Sequence, residues 1–155
     1  MENPANEITN VIKLVTAAVN PEIQKAAVLQ YYARDMSFRH PLCIIPSAFD
    51  SRDAMLPILQ WYRMLSPMIK GDVSSVTYDE EKHIVFLDVT QIFHIRSSPL
   101  NPAPARYVYR PRSCVYLIEE QEDFYHPDDL MALLAPPLIS VVRLALRTAT
   151  FACKV

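Results

Sequence analysis

Ile84-Val85-Phe86-Leu87-Asp88-Val89-Thr90-Gln91-Ile92-Phe93-His94-Ile95-Arg96 is the strongest strand signal in the chain. β-Branched and aromatic residues dominate it, and these suit a pleated surface. Successive side chains of a strand point to opposite faces. Val85, Leu87, Val89, Gln91, Phe93 and Ile95 therefore share the greasier face. Asp88, Thr90, His94 and Arg96 share the other. Gln91 stands out as a polar group among apolar ones, whereas His94 points away.

Working outward, Asp72–Tyr78 reads as a strand joined to it by a charged hairpin turn, Asp79-Glu80-Glu81-Lys82. Downstream, Ser97–Pro104 holds three prolines and reads as a loop. Arg106–Arg110 and Cys114–Gln121 make a short final pair across Pro111-Arg112-Ser113. On the last strand Val115, Leu117, Gln121 and Asp123 share parity unless a bulge intervenes.

Upstream the period changes. Ile8, Val11, Ile12, Val15 and Val19 recur at helical spacing. Asn20-Pro21 reads as a cap with proline at the first helical position, and a second helix runs to about Arg34. A short strand from Met36 to Leu42 follows, weakened by Pro41. Asp50 or Ser51 caps a third helix that reaches about Leu65 and carries Met55, Ile58, Leu59, Trp61 and Tyr62. Pro57 must sit in its first turns or kink it. Beyond His126-Pro127-Asp128-Asp129 the chain turns helical, breaks at Pro136-Pro137, and ends in a last helix. The fold class is α+β: a curved antiparallel sheet with three N-terminal helices around an apolar pocket, plus an apolar C-terminal helix. The division is 1–137 for the pocket domain and 138–155 for the helix.

Composition bounds the function. A chain of 155 residues with 51% apolar and 21% charged side chains is one globular domain with a real core. A net charge of −2 offers no basic footprint for nucleic acid. With Gly71 as the only glycine there is no GxGxxG or GxxxxGK[ST] phosphate loop, and no cofactor is implied. Cys43, Cys114 and Cys153 lie far apart, so neither a disulfide framework nor a thiolate zinc site is suggested. The polar start, Met1-Glu2-Asn3-Pro4, has no secretory pattern. The reading is cytoplasmic, peripheral on an intracellular membrane.

Four motifs carry a resemblance: Phe38-Arg39-His40-Pro41, Gln60-Trp61-Tyr62-Arg63-Met64-Leu65-Ser66-Pro67, Gln91-Ile92-Phe93-His94-Ile95-Arg96, and the run Gln121-Glu122-Asp123-Phe124-Tyr125-His126-Pro127-Asp128-Asp129-Leu130. With the element order, they resemble the nuclear transport factor 2-like superfamily, the cone fold of SnoaL-like cyclases, ketosteroid isomerase and scytalone dehydratase. More closely they are similar to the fungal SigF-like branch. The resemblance implies a cone and a pocket, and no particular activity. Against it, the strand pair near 107–115 looks shortened, which would leave the pocket incompletely walled.

Strand parity puts Met36, Phe38 and His40 on one inward face. A carboxylate and an imidazole in a dry pocket can serve as acid and base, because burial and pairing move their pKa values toward neutrality. The candidate catalytic set is His40, Asp123 and Tyr62, with Asp35 as an alternative carboxylate. Tyr32, Phe38, Trp61, Gln91 and Phe93 are the candidate ligand-binding residues. Each aromatic has a plainer reading as core, and His40 before Pro41 can simply bond a backbone carbonyl. The acidic run from Glu119 to Asp129 fits no metal motif, and helix capping explains Asp128 and Asp129 better. Cys114 has no partner placed beside it for nucleophilic chemistry.

In the last helix Ser140, Arg143, Arg147, Thr150 and Lys154 are spaced three, four, three, four, forming one narrow polar stripe. The remainder is almost wholly apolar, and the segment carries three cations and no acid. Two arginines in mid-helix argue against a bilayer span. Two readings stand: the helix lies in a membrane interface, or it packs on the sheet or a second subunit and closes the pocket. The function that follows is binding of, or acid/base chemistry on, a hydrophobic small molecule such as a terpenoid, polyketide or lipid near a membrane. The alternative is a non-enzymatic module that dimerises or docks through its sheet face and terminal helix.

Overall fold

The computed structural model describes residues 1–18, 20–66, 69–93, 103–112, 116–126, 129–131 and 135–152. Helix α1 (Pro4–Thr16) begins where Asn3 caps the Asn6 N–H at 3.2 Å and the Glu7 carboxylate takes the N–H of Asn3 at 2.6 Å. It buries Ile8, Val11, Ile12 and Val15 of the predicted stripe and ends at Thr16; Val19, the fifth member, lies outside the described residues. Helix α2 (Pro21–Tyr31) starts as the sequence indicates, the Asn20 side chain accepting the Glu22 N–H at 2.8 Å ahead of Pro21. It stops three residues earlier than expected. Tyr32 already has extended dihedrals, and strand β1 (Tyr32–His40) follows without a loop.

Strand β2 (Cys43–Ile45) folds back on β1. Helix α3 (Ser51–Leu65) is capped unconventionally. Asp50 is left-handed at φ 63°, and its carboxylate pairs with Arg34 instead of the helix N–H groups. Pro57 lies inside α3 near the end of its second turn. Strands β3 (Ile69–Asp79), β4 (Ile84–Phe93), β5 (Ala103–Arg112) and β6 (Leu117–Tyr125) complete a sheet ordered β2-β1-β6-β5-β4-β3. All neighbours are antiparallel except β1 and β6, which run parallel in mid-sheet.

Three expectations change. The strand pair is not shortened: β5 spans 10 residues and pairs along both β4 and β6, walling that side of the cone. Parity on β6 is broken by an irregularity: Arg110 pairs with Glu120 but Pro111 with Ile118. Glu119 is the extra residue, so Ile118, not Leu117, is buried with Gln121 and Asp123. The third concerns the C-terminus. After a 3-10 turn at Pro136–Leu138, helix α4 (Ile139–Ala152) leaves Val141, Leu144 and Leu146 at 62%, 66% and 42% exposure. None of its described residues lines the cleft of this chain.

The core lies between the inner sheet face and the helices. Met36 and Phe38 of β1, Val85, Leu87 and Val89 of β4, and Met55 of α3 are all buried there. The greasy face of β4 therefore points inward, as its alternation indicates, while Phe86 is exposed on the other side. Residues 94–100 and 113–115, with His94 and Cys114, lie outside the described residues, as does Asp128.

Candidate functional site

The cone encloses a cleft between α1, α2, α3 and the inner face of β1, β3, β4 and β6. It has about 430 Å³ of atom-free space including its open mouth, and about 40 Å³ in which a water-sized group can be centred. Its polar groups converge from separate elements: Gln24 from α2, His40 from β1, Tyr62 from α3, Gln91 from β4, and Gln121 with Asp123 from β6.

The parallel pairing of β1 with β6 creates the centre of the site. Phe38 is opposite Gln121 and Arg39 opposite Glu122. One step on, His40 and Asp123 both turn inward and are 5% and 8% exposed. The outward pair, Arg39 and Glu122, is an exposed ion pair at 3.7 Å. A relay lies behind Asp123: the buried Tyr32 hydroxyl donates to Gln121 Oε1 at 2.7 Å, and Gln121 Nε2 donates to Asp123 Oδ1 at 2.9 Å.

The tautomer of His40 is set by its backbone. The Leu42 N–H donates to Nδ1 at 3.1 Å, so Nδ1 bears the lone pair and Nε2 the proton. Pro41, by forcing the turn, brings Leu42 back to the ring. His40 thus accepts a backbone N–H, and among the described residues it bonds no carbonyl. The Tyr62 hydroxyl is 3.1 Å from the same nitrogen. Tyr125 meets the imidazole edge-on at 5.3 Å, and Phe38 stacks at 6.1 Å.

Burial decides the charges. It lowers the His40 pKa to about 4. It raises that of Asp123 to about 8, where the Gln121 hydrogen bond works against it and Glu122 adds to it. Burial also pushes the Tyr62 hydroxyl well up, with smaller contributions from Cys43 and Asp123. At neutral pH all three are therefore uncharged. Asp123 moves toward neutrality as the sequence reading expects, but as a carboxylic acid; His40 moves away from it. The site offers a proton donor in Asp123 and a weak base in His40.

Of the candidate residues, His40, Tyr62, Asp123, Phe38 and Gln91 line one cleft. Tyr32 stands behind it as the start of the relay. Trp61 is not in the lining and is 48% exposed, touching Tyr62 edge-on at 5.4 Å. Two residues past the buried Leu59, it is turned some 200° round α3. Asp35 is exposed on the wrong parity of β1. The Phe93 side chain lies outside the described residues. Sequence reasoning passed over Gln24, Tyr125 and the relay role of Gln121. Gln24 carries the signal that marks Gln91: a polar residue on an apolar face, here with Ala27 and Val28. Among the described residues no cluster of three His, Cys, Asp or Glu could hold a metal. Nor is any helix among them long and apolar enough to cross a membrane.

A cone of helices on a curved sheet, with polar groups converging at its inner centre, defines a pocket protein. The SigF NTF2-like domain model matches residues 1–155, and the chain belongs to that family. No curated protein matches the chain by sequence. Solved structures share the fold at low identity. A hypothetical protein with a ketosteroid isomerase-like fold from Catenulispora acidiphila, in complex with trimethylamine, is 14% identical with a TM-score of 0.66, covering 83% of this chain and 92% of that one. A candidate isomerase of the SnoaL-like family from Agrobacterium tumefaciens is 14% identical with a TM-score of 0.63, covering 79% and 97%. A candidate SnoaL-like polyketide cyclase from Jannaschia is 8% identical with a TM-score of 0.65, covering 85% and 94%.

Proposed function

We propose that the protein takes the end of a hydrophobic small molecule, of terpenoid, polyketide or lipid type, into its cleft and moves a proton on it. The observation that carries this reading is the convergence of Asp123, His40 and Tyr62, from three elements, on one apolar cavity. Asp123 in its acid form gives a proton, and His40 takes one at Nδ1, its only lone pair, giving up the Leu42 N–H bond there. The Tyr62 hydroxyl, 3.1 Å from that nitrogen, hands its own proton to Nδ1 and takes the ligand's in exchange. That arrangement serves isomerisation, dehydration or cyclisation. Drug-sized ligands fill pockets of about 300–1,000 Å³. The enclosed part of the cleft, about 40 Å³, is far smaller, so it takes only the polar end of a ligand and leaves the body in the open mouth. The isomerase and cyclase named among the structural neighbours are consistent with such chemistry.

The protein works at a membrane surface in this reading, through α4. That helix presents Val141, Leu144 and Leu146 to solvent beside Arg143 and Arg147. The alternative, a docking module or homodimer, is favoured by Phe86 and Phe124, 47% and 46% exposed on the outer sheet face.

Cyclohexanone in D₂O tests the pocket chemistry, with α-deuteration followed by NMR. Wild type should exchange faster than buffer, and Asp123→Asn and His40→Ala should each lose roughly 10²-fold of that gain. An unchanged rate in both variants would sink the catalytic reading. Absence of shifts at the lining residues would sink binding too, leaving the docking module.

A further inference from the structure

Gln24 is 1% exposed, lines the cleft, and has no part in the proton chemistry above. Its orientation is fixed: Nε2 donates to the Val15 carbonyl at 2.6 Å, and a carbonyl can only accept. The other end of the amide, Oε1, is thereby committed as an acceptor. It is buried with no hydrogen-bond partner among the described residues. Buried polar atoms are nearly always paired, and one without a protein partner marks strain, an ordered water, or a partner that arrives with a ligand. Asn20, Pro21 and the packing of Ala27 and Val28 fix α2, so the amide cannot swing away to solvent.

The other lining groups restrict what can bring that partner. No lysine or arginine is among the described lining residues, so an anionic ligand finds no counter-charge among them. Asp123, neutral at pH 7, supplies no counter-charge either. Val15, Phe38, Leu59 and Ile69 make the apolar walls, and the Thr16 hydroxyl beside them already donates to the Ile12 carbonyl at 2.8 Å.

We infer that the ligand of this cleft is an uncharged molecule whose apolar body carries a hydroxyl, and that this hydroxyl donates to Gln24 Oε1. Gln24 is then a specificity-determining residue that separates alcohols from hydrocarbons and from carboxylates of the same shape. The inference rests on the pocket reading and names the substrate class within it.

Three probes of one size test it by NMR titration of the full chain: cyclohexanol, methylcyclohexane and cyclohexanecarboxylate. Wild type should bind cyclohexanol about tenfold tighter than methylcyclohexane, and the carboxylate weakest. In Gln24→Met the alcohol and the hydrocarbon should bind alike. An alcohol preference that survives Gln24→Met, or tightest binding of the carboxylate, overturns the inference while leaving the pocket intact. Failure of methylcyclohexane and cyclohexanol alike to bind wild type overturns the pocket itself. Should Gln24→Met not fold, the wild-type Gln24 side-chain amide resonances decide. They should move with cyclohexanol and not with methylcyclohexane, and equal movement with both counts against the inference.

Discussion

Helix α1 carries an apolar stripe and α4 a still broader apolar surface, and they meet opposite fates. In α1, Ile8, Val11, Ile12 and Val15 are at most 2% exposed, packed against α2, α3 and β3. In α4, Val141 and Leu144 remain more than 60% exposed. Periodicity tells which face of a helix is apolar; it does not tell whether this chain supplies the partner that covers it. The difference can be broken by mutation. Ile8→Ala should cost roughly 2–5 kcal/mol in urea denaturation, through lost transfer energy and a cavity that packed neighbours cannot fill. Leu144→Ala should stay within about 0.5 kcal/mol, because there is no cavity to create. Equal losses would mean that α4 is packed in solution, on this chain or on a second copy.

The second test asks what covers α4. Each cation near an anionic lipid surface contributes about 1 kcal/mol. Arg143→Glu together with Arg147→Glu should therefore weaken flotation with phosphatidylglycerol vesicles by at least roughly thirtyfold, about 2 kcal/mol. Phosphatidylcholine vesicles should bind the unaltered chain far less, and removal of 138–155 should abolish binding. Equal soluble fractions with and without 138–155 would end the membrane reading and leave dimerisation, read by sedimentation, as the use of that face.

The contrast between α1 and α4 also marks how far the sequence could be read. Local signals held wherever a neighbour supplied the complement they imply. Asn20 caps α2, the alternation of 84–91 buries Val85, Leu87, Val89 and Gln91, and β1 parity turns Phe38 and His40 inward. Failures came where two strands or a helix angle had to be known together. The extra residue at Glu119 exists only in the pairing of β6 with β5, so alternation along β6 alone put Leu117 where Ile118 belongs. Trp61 attracted attention by its type, but its angle on α3 follows from which side of Met55 and Leu59 meets the sheet. The relay Tyr32–Gln121–Asp123 spans residues 89 apart in sequence, and no spacing rule reaches across that distance. His40 was legible as a candidate, whereas its tautomer depends on one backbone N–H from Leu42.

The smallest effect is also the most direct probe of the site, and it depends on opposite shifts in neighbouring groups. Asp123 holds its proton to about pH 8 in the fold, against an ordinary 3.8. Between those values the folded state keeps a proton that the unfolded chain releases, so stability falls as pH rises. His40 behaves inversely: its pKa drops from 6.5 to about 4, and it loses stability only as pH falls below 6.5. His40 is common to wild type and Asp123→Asn, so its small remaining titration cancels when the two are compared between pH 6.5 and 7.5. Across it, wild type should lose about 1 kcal/mol relative to Asp123→Asn, a little under the limit of about 1.4 kcal/mol per pH unit for one proton. Asparagine keeps the shape and can still meet Gln121, but it does not titrate. Paired urea titrations at both pH values measure the difference. A flat difference would mean that Asp123 is ionised inside the cone. The cleft would then hold a carboxylate with no cation beside it among the described lining residues, and the acid required for proton donation would be gone.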